Sequence, residues 1–352
     1  MVPAQNKIKV FIVDDSVFFL KALEQGLLND PRIEVVGTTT DVIDAADKIK
    51  RLRPDVVTLD VEMPKMNGIE FLKKIIPIHP VPVIVVSSLP IRVLDALHAG
   101  AVDFVRKPEA KSSQDVQSFL SELLVKIKIA SIARVHKEST KETSLPAPRA
   151  LTLNAEGQTR QTVIAIGAST GGTEAILSMV KDLPSTTPGI VVVQHMPAGF
   201  TKMYAERLNR VCQMKVCEAV HKDRVERGKI IIGAGDFHLR IAKDSLGYYV
   251  KSEPGPKISG HCPSVDALFE SVSDIVRDKA VGILLTGMGA DGANGLLKMK
   301  NKGAYTIGQD KDSCVVYGMP QVAFNIGAVT RQMPLAQIGG EIVHYLNNNV
   351  RA

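Results

Sequence analysis

Residues 163–173 read VIAIGASTGGT: four apolar residues run through Gly167 into Ser169 and end at the pair Gly171-Gly172. A short run that is apolar on both faces and stops at glycine predicts a buried strand, Val163–Ile166. The small residues after it let the backbone turn tightly and set a serine hydroxyl at the start of a helix expected near Thr173. Strand, glycine loop and helix in that order form one α/β repeat. Further strand-like runs follow at Ile190–Val193, Lys229–Ile232, Tyr248–Lys251, Val281–Leu285 and Tyr305–Ile307, with helical patterns between several of them. The second half of the chain therefore reads as a doubly wound α/β unit with a mainly parallel sheet, spanning 161–352.

The same alternation fills residues 1–135. Apolar, β-branched runs occur at Ile8–Val13, Ile33–Val36, Val56–Leu59, Val83–Val86 and Asp103–Val105, each followed by an amphipathic stretch. In the last stretch Val116, Phe119, Leu120, Leu123 and Ile127 recur at helical spacing. Five such repeats predict a (βα)5 unit whose parallel sheet is covered on both faces. Ligands in such sheets bind beyond the carboxyl ends of the strands. Between the units, residues 136–160 (HKESTKETSLPAPRALTLNAEGQTR) are rich in charge, Ser, Thr and Pro without periodicity, and read as a linker.

A length of 352 residues suits two domains, and 45% hydrophobic with 23% charged residues excludes general disorder. The net charge of +6 is small for this length and spread along the chain, and tryptophan is absent, so nucleic acid is not an expected partner. No apolar run approaches the roughly 20 residues that span a bilayer, so membrane insertion is not expected either. Met1–Asp15 offers four consecutive apolar residues, Val10–Val13, before two acids, which is not the pattern of a signal peptide. The cytoplasm is the expected compartment. Cys212, Cys217, Cys262 and Cys314 lack C-x-x-C spacing and read as reduced, structural thiols rather than zinc ligands.

Asp14 and Asp15 follow the first strand and Asp60 the third. These strands are neighbours in a doubly wound sheet, so three carboxylates converge at one edge. Such convergence suits a hard cation, Mg²⁺, that keeps several waters. Ser87 follows the fourth strand and Lys107 the fifth. A hydroxyl and an ammonium beside metal-bound carboxylates are what stabilises a transferring phosphoryl group. Taken singly, Asp14, Asp15 and Ser16 could cap a helix, Asp60 could serve a turn, and Lys107 could be a solvated charge. Their recurrence at successive strand ends favours a site.

The loop around Ser169 suits two chemistries: anion binding, as in dinucleotide sites, and nucleophilic serine catalysis with N–H groups facing an oxyanion. Dinucleotide binding expects G-x-G-x-x-G and an acid ending the next strand. This loop lacks that spacing, and the next strand ends in Gln194-His195, which favours a catalytic base. The third member should be an acid at another strand end. Asp291, in the glycine-rich loop after Val281–Leu285, fits, while Asp266 and Asp310 remain alternatives. His221, His238 and His261 are competing histidines. A Cys262 nucleophile is disfavoured beside Pro263.

The first unit resembles the receiver domain of two-component response regulators, through VDDS at Val13–Ser16, TLDVEMPKMNG at Thr58–Gly68, Ser87-Ser88 and Val105–Pro108. The resemblance implies a flavodoxin-like fold and phosphorylation of Asp60 by a histidine kinase. It also implies Mg²⁺ held by Asp15, Asp60 and the Glu62 backbone carbonyl, with Asp14 helping through water. Lys107 would pair with the phosphate, Ser87 would hydrogen-bond it, and Phe104 would be the aromatic switch. Lys107–Pro108 becomes a candidate for a cis bond.

The second unit resembles the catalytic domain of the CheB family of chemotaxis protein-glutamate methylesterases. The matching segments are IGASTGG at Ile166–Gly172, VVVQHMPAGFT at Val191–Thr201, GHCPSVDALF at Gly260–Phe269, LLTGMGADGANGL at Leu284–Leu296 and VVYGMP at Val315–Pro320. A receiver joined to this domain is that family's architecture. The resemblance implies Ser169 as nucleophile, His195 as base and Asp291 as orienting acid. The backbone N–H groups of Met288 and Thr170 would face the oxyanion, and no cofactor is implied for the ester reaction. Substrates would be glutamate γ-methyl esters, or glutamines, on cytoplasmic domains of chemoreceptors. The receiver is expected to cover the Ser169 cleft until Asp60 is phosphorylated. A DNA-binding response regulator is the rival reading, disfavoured because the second unit is too long for a helix-turn-helix module.

Overall fold

The computed structural model describes residues 6–63, 68–108, 113–135, 152–153 and 161–348. They divide into two compact units, with the boundary between residues 141 and 142. Apart from Thr152 and Leu153, the linker expected at 136–160 lies outside the described residues.

The first unit alternates β1 (Ile8–Val13), α1 (Val17–Leu28), β2 (Ile33–Thr39), α2 (Val42–Leu52), β3 (Val56–Asp60), α3 (Gly68–Ile78), β4 (Val83–Ser87), α4 (Pro90–His98), β5 (Asp103–Arg106) and α5 (Ser113–Ala130). Its five strands are parallel, in the order β2-β1-β3-β4-β5. Every residue of β3 and β4 is buried, as expected of central strands covered on both faces. One side is filled by Leu20, Leu23 and Leu27 of α1 packing with Phe119, Leu123 and Ile127 of α5. The order reverses beside β1 and β3, so Asp14, Asp15 and Asp60 stand at the crevice where such sheets bind ligands.

The second unit runs β6 (Val163–Ala168), α6 (Gly172–Val180), β7 (Gly189–Gln194), α7 (Phe200–Val211), β8 (Lys215–Glu218), β9 (Lys229–Ile232), β10 (Phe237–Asp244), β11 (Gly247–Pro254), α8 (Val265–Ile275), β12 (Ala280–Leu284), α9 (Ala293–Asn301), β13 (Tyr305–Gln309), α10 (Met319–Asn325), β14 (Arg331–Met333) and α11 (Leu335–Asn348). Seven parallel strands form one sheet, β14-β13-β12-β6-β7-β9-β8, and β10 pairs antiparallel with β11 in a separate hairpin. The three central strands β12, β6 and β7 are wholly buried, and their carboxyl ends open onto the Asp291, Ser169 and His195 loops.

Strands β8, β10 and β14 had no counterpart among the expected runs. β8 and β14 are short edge strands of four and three residues, too brief to carry a periodic signal. β10 is a hairpin strand whose polar residues, among them Arg240 and Lys243, dilute the apolar pattern. Among the described residues the cis peptide bond is Cys262–Pro263, not Lys107–Pro108. No helix among them is long and apolar enough to cross a membrane.

Candidate functional site

β6 ends in Ala168, and Ser169 begins the turn into α6. The Ser169 N–H donates to Thr286 O at 3.0 Å, and Gly172 N–H donates to Ser169 O at 2.7 Å. The turn needs φ = +76° at Gly171, the N-cap of α6, a left-handed conformation that glycine adopts without cost. His195 follows the neighbouring strand directly, and this strand end is tied to the serine loop twice. Its N–H donates to Ala168 O at 3.1 Å, and the Gln194 amide donates to Ser169 O at 2.9 Å.

The His195 side chain is nearly buried, and its Nε2 lies 2.7 Å from Asp291 Oδ2. Its Nδ1 is buried and carries no hydrogen bond. Asp291 is held by three further donors from the start of α8: Val265 N–H to Oδ2 at 2.8 Å, Ser264 Oγ to Oδ1 at 2.8 Å, and Asp266 N–H to Oδ1 at 3.0 Å. A carboxylate at a helix N-terminus meets the positive end of the helix dipole and its unpaired N–H groups. Burial works against the ionised form, but His195 and the α8 donors outweigh it and hold the carboxyl down to about 2.

The rival assignments separate in the structure. Asp266 accepts Gly295 N–H at 2.7 Å instead of meeting an imidazole, and burial pushes its carboxyl up. Asp310 accepts the N–H and hydroxyl of Ser313. His238 bridges Pro256 O and Ser264 N–H, and His221 faces Glu253 at 3.7 Å. Burial raises the Cys262 thiol, which disfavours a thiolate nucleophile. His261 lies flat on His195, with ring centroids 3.6 Å apart and planes 8° apart.

The loop after β12 closes the site. A Cβ on Gly287 would lie 2.6 Å from Ser169 Cβ, so only glycine allows the two backbones this close. Met288 follows, half-exposed, and its N–H takes no backbone acceptor among the described residues. Thr170 stands next to the serine and is buried. Thr286 Oγ1 bonds Thr170 O at 3.0 Å and accepts Val316 N–H at 2.9 Å, joining three loops beneath Ser169. Thr286, Gln194, Ser264 and His261 carried no spacing signal of their own in the sequence. His261 stood only among the competing histidines, and Thr286, Gln194 and Ser264 lay inside the segments that carry the family resemblance.

In the first unit, Asp14, Asp15 and Asp60 bring carboxylate oxygens within 4.8 Å of one another. Lys107 Nζ lies 2.5 Å from Asp60 Oδ2 and 2.8 Å from Asp14 Oδ2. Burial pushes the Asp14 carboxyl up despite that ammonium, while its two carboxylate partners keep Lys107 above the usual lysine range against burial. Three carboxylates facing one ammonium leave net negative charge among oxygen donors, which fits a hard divalent cation. Glu62 N–H donates to Asp60 Oδ1 at 2.8 Å, which fixes the Glu62 backbone beside the cluster. The Ser87 hydroxyl donates to Glu62 Oε1 at 2.6 Å. Phe104 is turned inward, with Lys126 Nζ 4.8 Å from its ring centroid.

Comparison with known proteins bears on both units. The family model described as CheB methylesterase matches residues 164–342, and that of the response regulator receiver domain matches residues 10–115. A protein-glutamate methylesterase/protein-glutamine glutaminase 2 of Syntrophomonas wolfei is 51% identical over 97% of this chain and 98% of its own length. One of Salmonella typhimurium bearing the same activity name is 42% identical over 96% of this chain and 97% of its own. The crystal structure of the Thermotoga maritima CheB methylesterase catalytic domain is 35% identical. It covers 52% of this chain and 97% of that one, with a TM-score of 0.51.

Proposed function

The chain belongs to the CheB methylesterase family, with a response-regulator receiver domain ahead of the catalytic one, and from that premise we propose how its residues act. It is a carboxylic ester hydrolase of chemotaxis signalling that removes methyl groups from glutamate γ-methyl esters on chemoreceptors. Deamidation of receptor glutamine is the same acyl chemistry with ammonia leaving. What carries the assignment is the His195–Asp291 pair, whose second imidazole nitrogen is buried and carries no hydrogen bond, at the end of the strand next to the serine loop.

Ser169 Oγ attacks the γ-carbonyl and passes its proton to His195 Nδ1. Asp291, ionised far below neutral pH, holds the Nε2–H tautomer and stabilises the imidazolium that forms. The tetrahedral oxyanion accepts hydrogen bonds from the Met288 and Thr170 N–H groups. His195 returns the proton to methoxide, methanol departs, and water then hydrolyses the acyl-serine by the reverse sequence of proton transfers. The DNA-binding reading is set aside, since the second unit matches the methylesterase model over most of its length.

In the receiver, Asp60 accepts the phosphoryl group from a chemotaxis histidine kinase. Asp15, Asp60 and the Glu62 carbonyl would hold Mg²⁺, with Asp14 acting through water, and the ion would neutralise charge on the phosphoryl oxygens. Lys107 pairs with the new phosphate, Ser87 leaves Glu62 to hydrogen-bond it, and Phe104 responds as the aromatic switch. Four free cysteines agree with work in the cytoplasm. The deciding experiment is fluorophosphonate labelling with mapping of the modified residue, alongside Ser169→Ala. Label on Ser169 and a fall in turnover on the order of 10³-fold or more are expected. Near-normal hydrolysis by the alanine variant rejects the assignment.

A further inference from the structure

We propose that His261 is a positioning residue for His195: its ring, stacked face to face, fixes the plane in which the base presents Nδ1 to Ser169. The proposal rests on the assignment of Ser169 and His195 given above. A histidine χ2 is a broad, two-fold torsion, so one hydrogen bond at Nε2 leaves the ring free to swing about that contact. A parallel ring at 3.6 Å removes the swing toward one face, because rotating χ2 would drive the His195 edge into His261. The Asp291 bond fixes one corner of the ring, and the stack fixes its plane.

The support is itself held rigidly. His261 closes a two-residue turn in which its N–H donates to Ile258 O at 2.9 Å and its carbonyl accepts Ile258 N–H at 3.0 Å. Ser259 and Gly260 between them take positive φ of 52° and 85°. Buried His238 grips the same segment on both sides of His261, through Pro256 O at 2.8 Å and Ser264 N–H at 3.3 Å. Three residues after His261 comes Ser264, whose hydroxyl, with the next two N–H groups, holds Asp291. One short segment, 258–266, thus supplies both the stacking ring and the grip on the acid.

The test compares His261→Ala with His261→Phe in the full chain, following methanol release from a chemoreceptor bearing glutamate γ-methyl esters. The alanine variant should lose about 10- to 100-fold in kcat with KM within about twofold, the size of effect expected from a misplaced catalytic group. Phenylalanine, which keeps a flat face without a titratable nitrogen, should restore most of the loss. Fluorophosphonate labelling of Ser169 should slow and recover in parallel. If the alanine variant does not fold, His261→Leu takes its place, keeping volume without a flat face. Wild-type kcat in the alanine or leucine variant overturns the proposal, as does equal loss in the phenylalanine variant or a change confined to KM. Ser169→Ala run beside them separates the two readings. If that variant is inactive while His261→Ala is normal, only the positioning role falls; if it stays active, both fall.

Discussion

The Ser264 hydroxyl donates to Asp291 Oδ1 at 2.8 Å while accepting the Ala267 N–H at 3.3 Å, so one side chain both caps α8 and holds the acid proposed to orient His195. The proposed orienting group is therefore seated on a helix start more than twenty residues earlier in the chain. Its ionisation is a property of that seat as much as of His195.

The carboxyl of Asp291 titrates at about 2 in the folded chain, against 3.8 ordinarily. A lowered acid contributes stability that is complete above its unfolded value and is lost as pH falls through the folded one, here on the order of 2 kcal/mol. Asp291→Asn should therefore lower the urea midpoint at neutral pH. The gap to wild type should narrow as pH falls from about 4 towards about 2. A gap that stays constant over that interval contradicts the seat described here.

Gly287→Ala introduces a Cβ 2.6 Å from Ser169 Cβ and against Met319 Sδ. The serine loop and the Met288 N–H must move apart to admit it, so kcat should fall by about 100-fold, a size typical of losing an oxyanion donor. Turnover unchanged in a folded Gly287→Ala variant would show that this approach does not serve catalysis.

Removing divalent cations should abolish phosphorylation of Asp60 by a small-molecule phosphodonor and leave basal ester hydrolysis untouched. The acidic cluster and the Ser169–His195–Asp291 site belong to different units of the chain, and among the described residues only the first holds a cluster of acids close enough for a hard cation. Radiolabel retained on Asp60 after thorough chelation, or lost esterase activity, would each count against this division.

On the expectation that the receiver restrains the Ser169 site, deletion of residues 1–135 should raise basal activity. A full shift from about 1% to 99% active needs roughly 5.5 kcal/mol, so a partial rise is expected. Unchanged or lower turnover in a well-folded 136–352 chain would remove the receiver's restraining role.

Much of this is legible in the sequence. Ser169, His195, Asp14, Asp15, Asp60 and Lys107 each follow a short apolar run. Parallel sheets gather such positions at one edge whatever the side-chain details, so a local pattern sufficed to place them. The receiver motifs and the glycine loop added the chemistry. Edge strands such as β8 and β14 escaped because three or four residues at a sheet margin carry no period.

By position the sequence left Asp266 and Asp310 open beside Asp291, which the family resemblance favoured; the contacts that seat each of these acids came only from tertiary structure. So did the use of His195 Nε2 for the acid, the stack of His261 on that ring, and the engagement of Ser87 by Glu62. The linear order of residues determines strands, turns and the ends they share, because those follow from neighbours a few positions away. It does not determine which distant donor reaches a given carboxylate or ring. That is decided when packed elements bring residues such as 195, 261, 264 and 291 within bonding distance, and no periodicity records it.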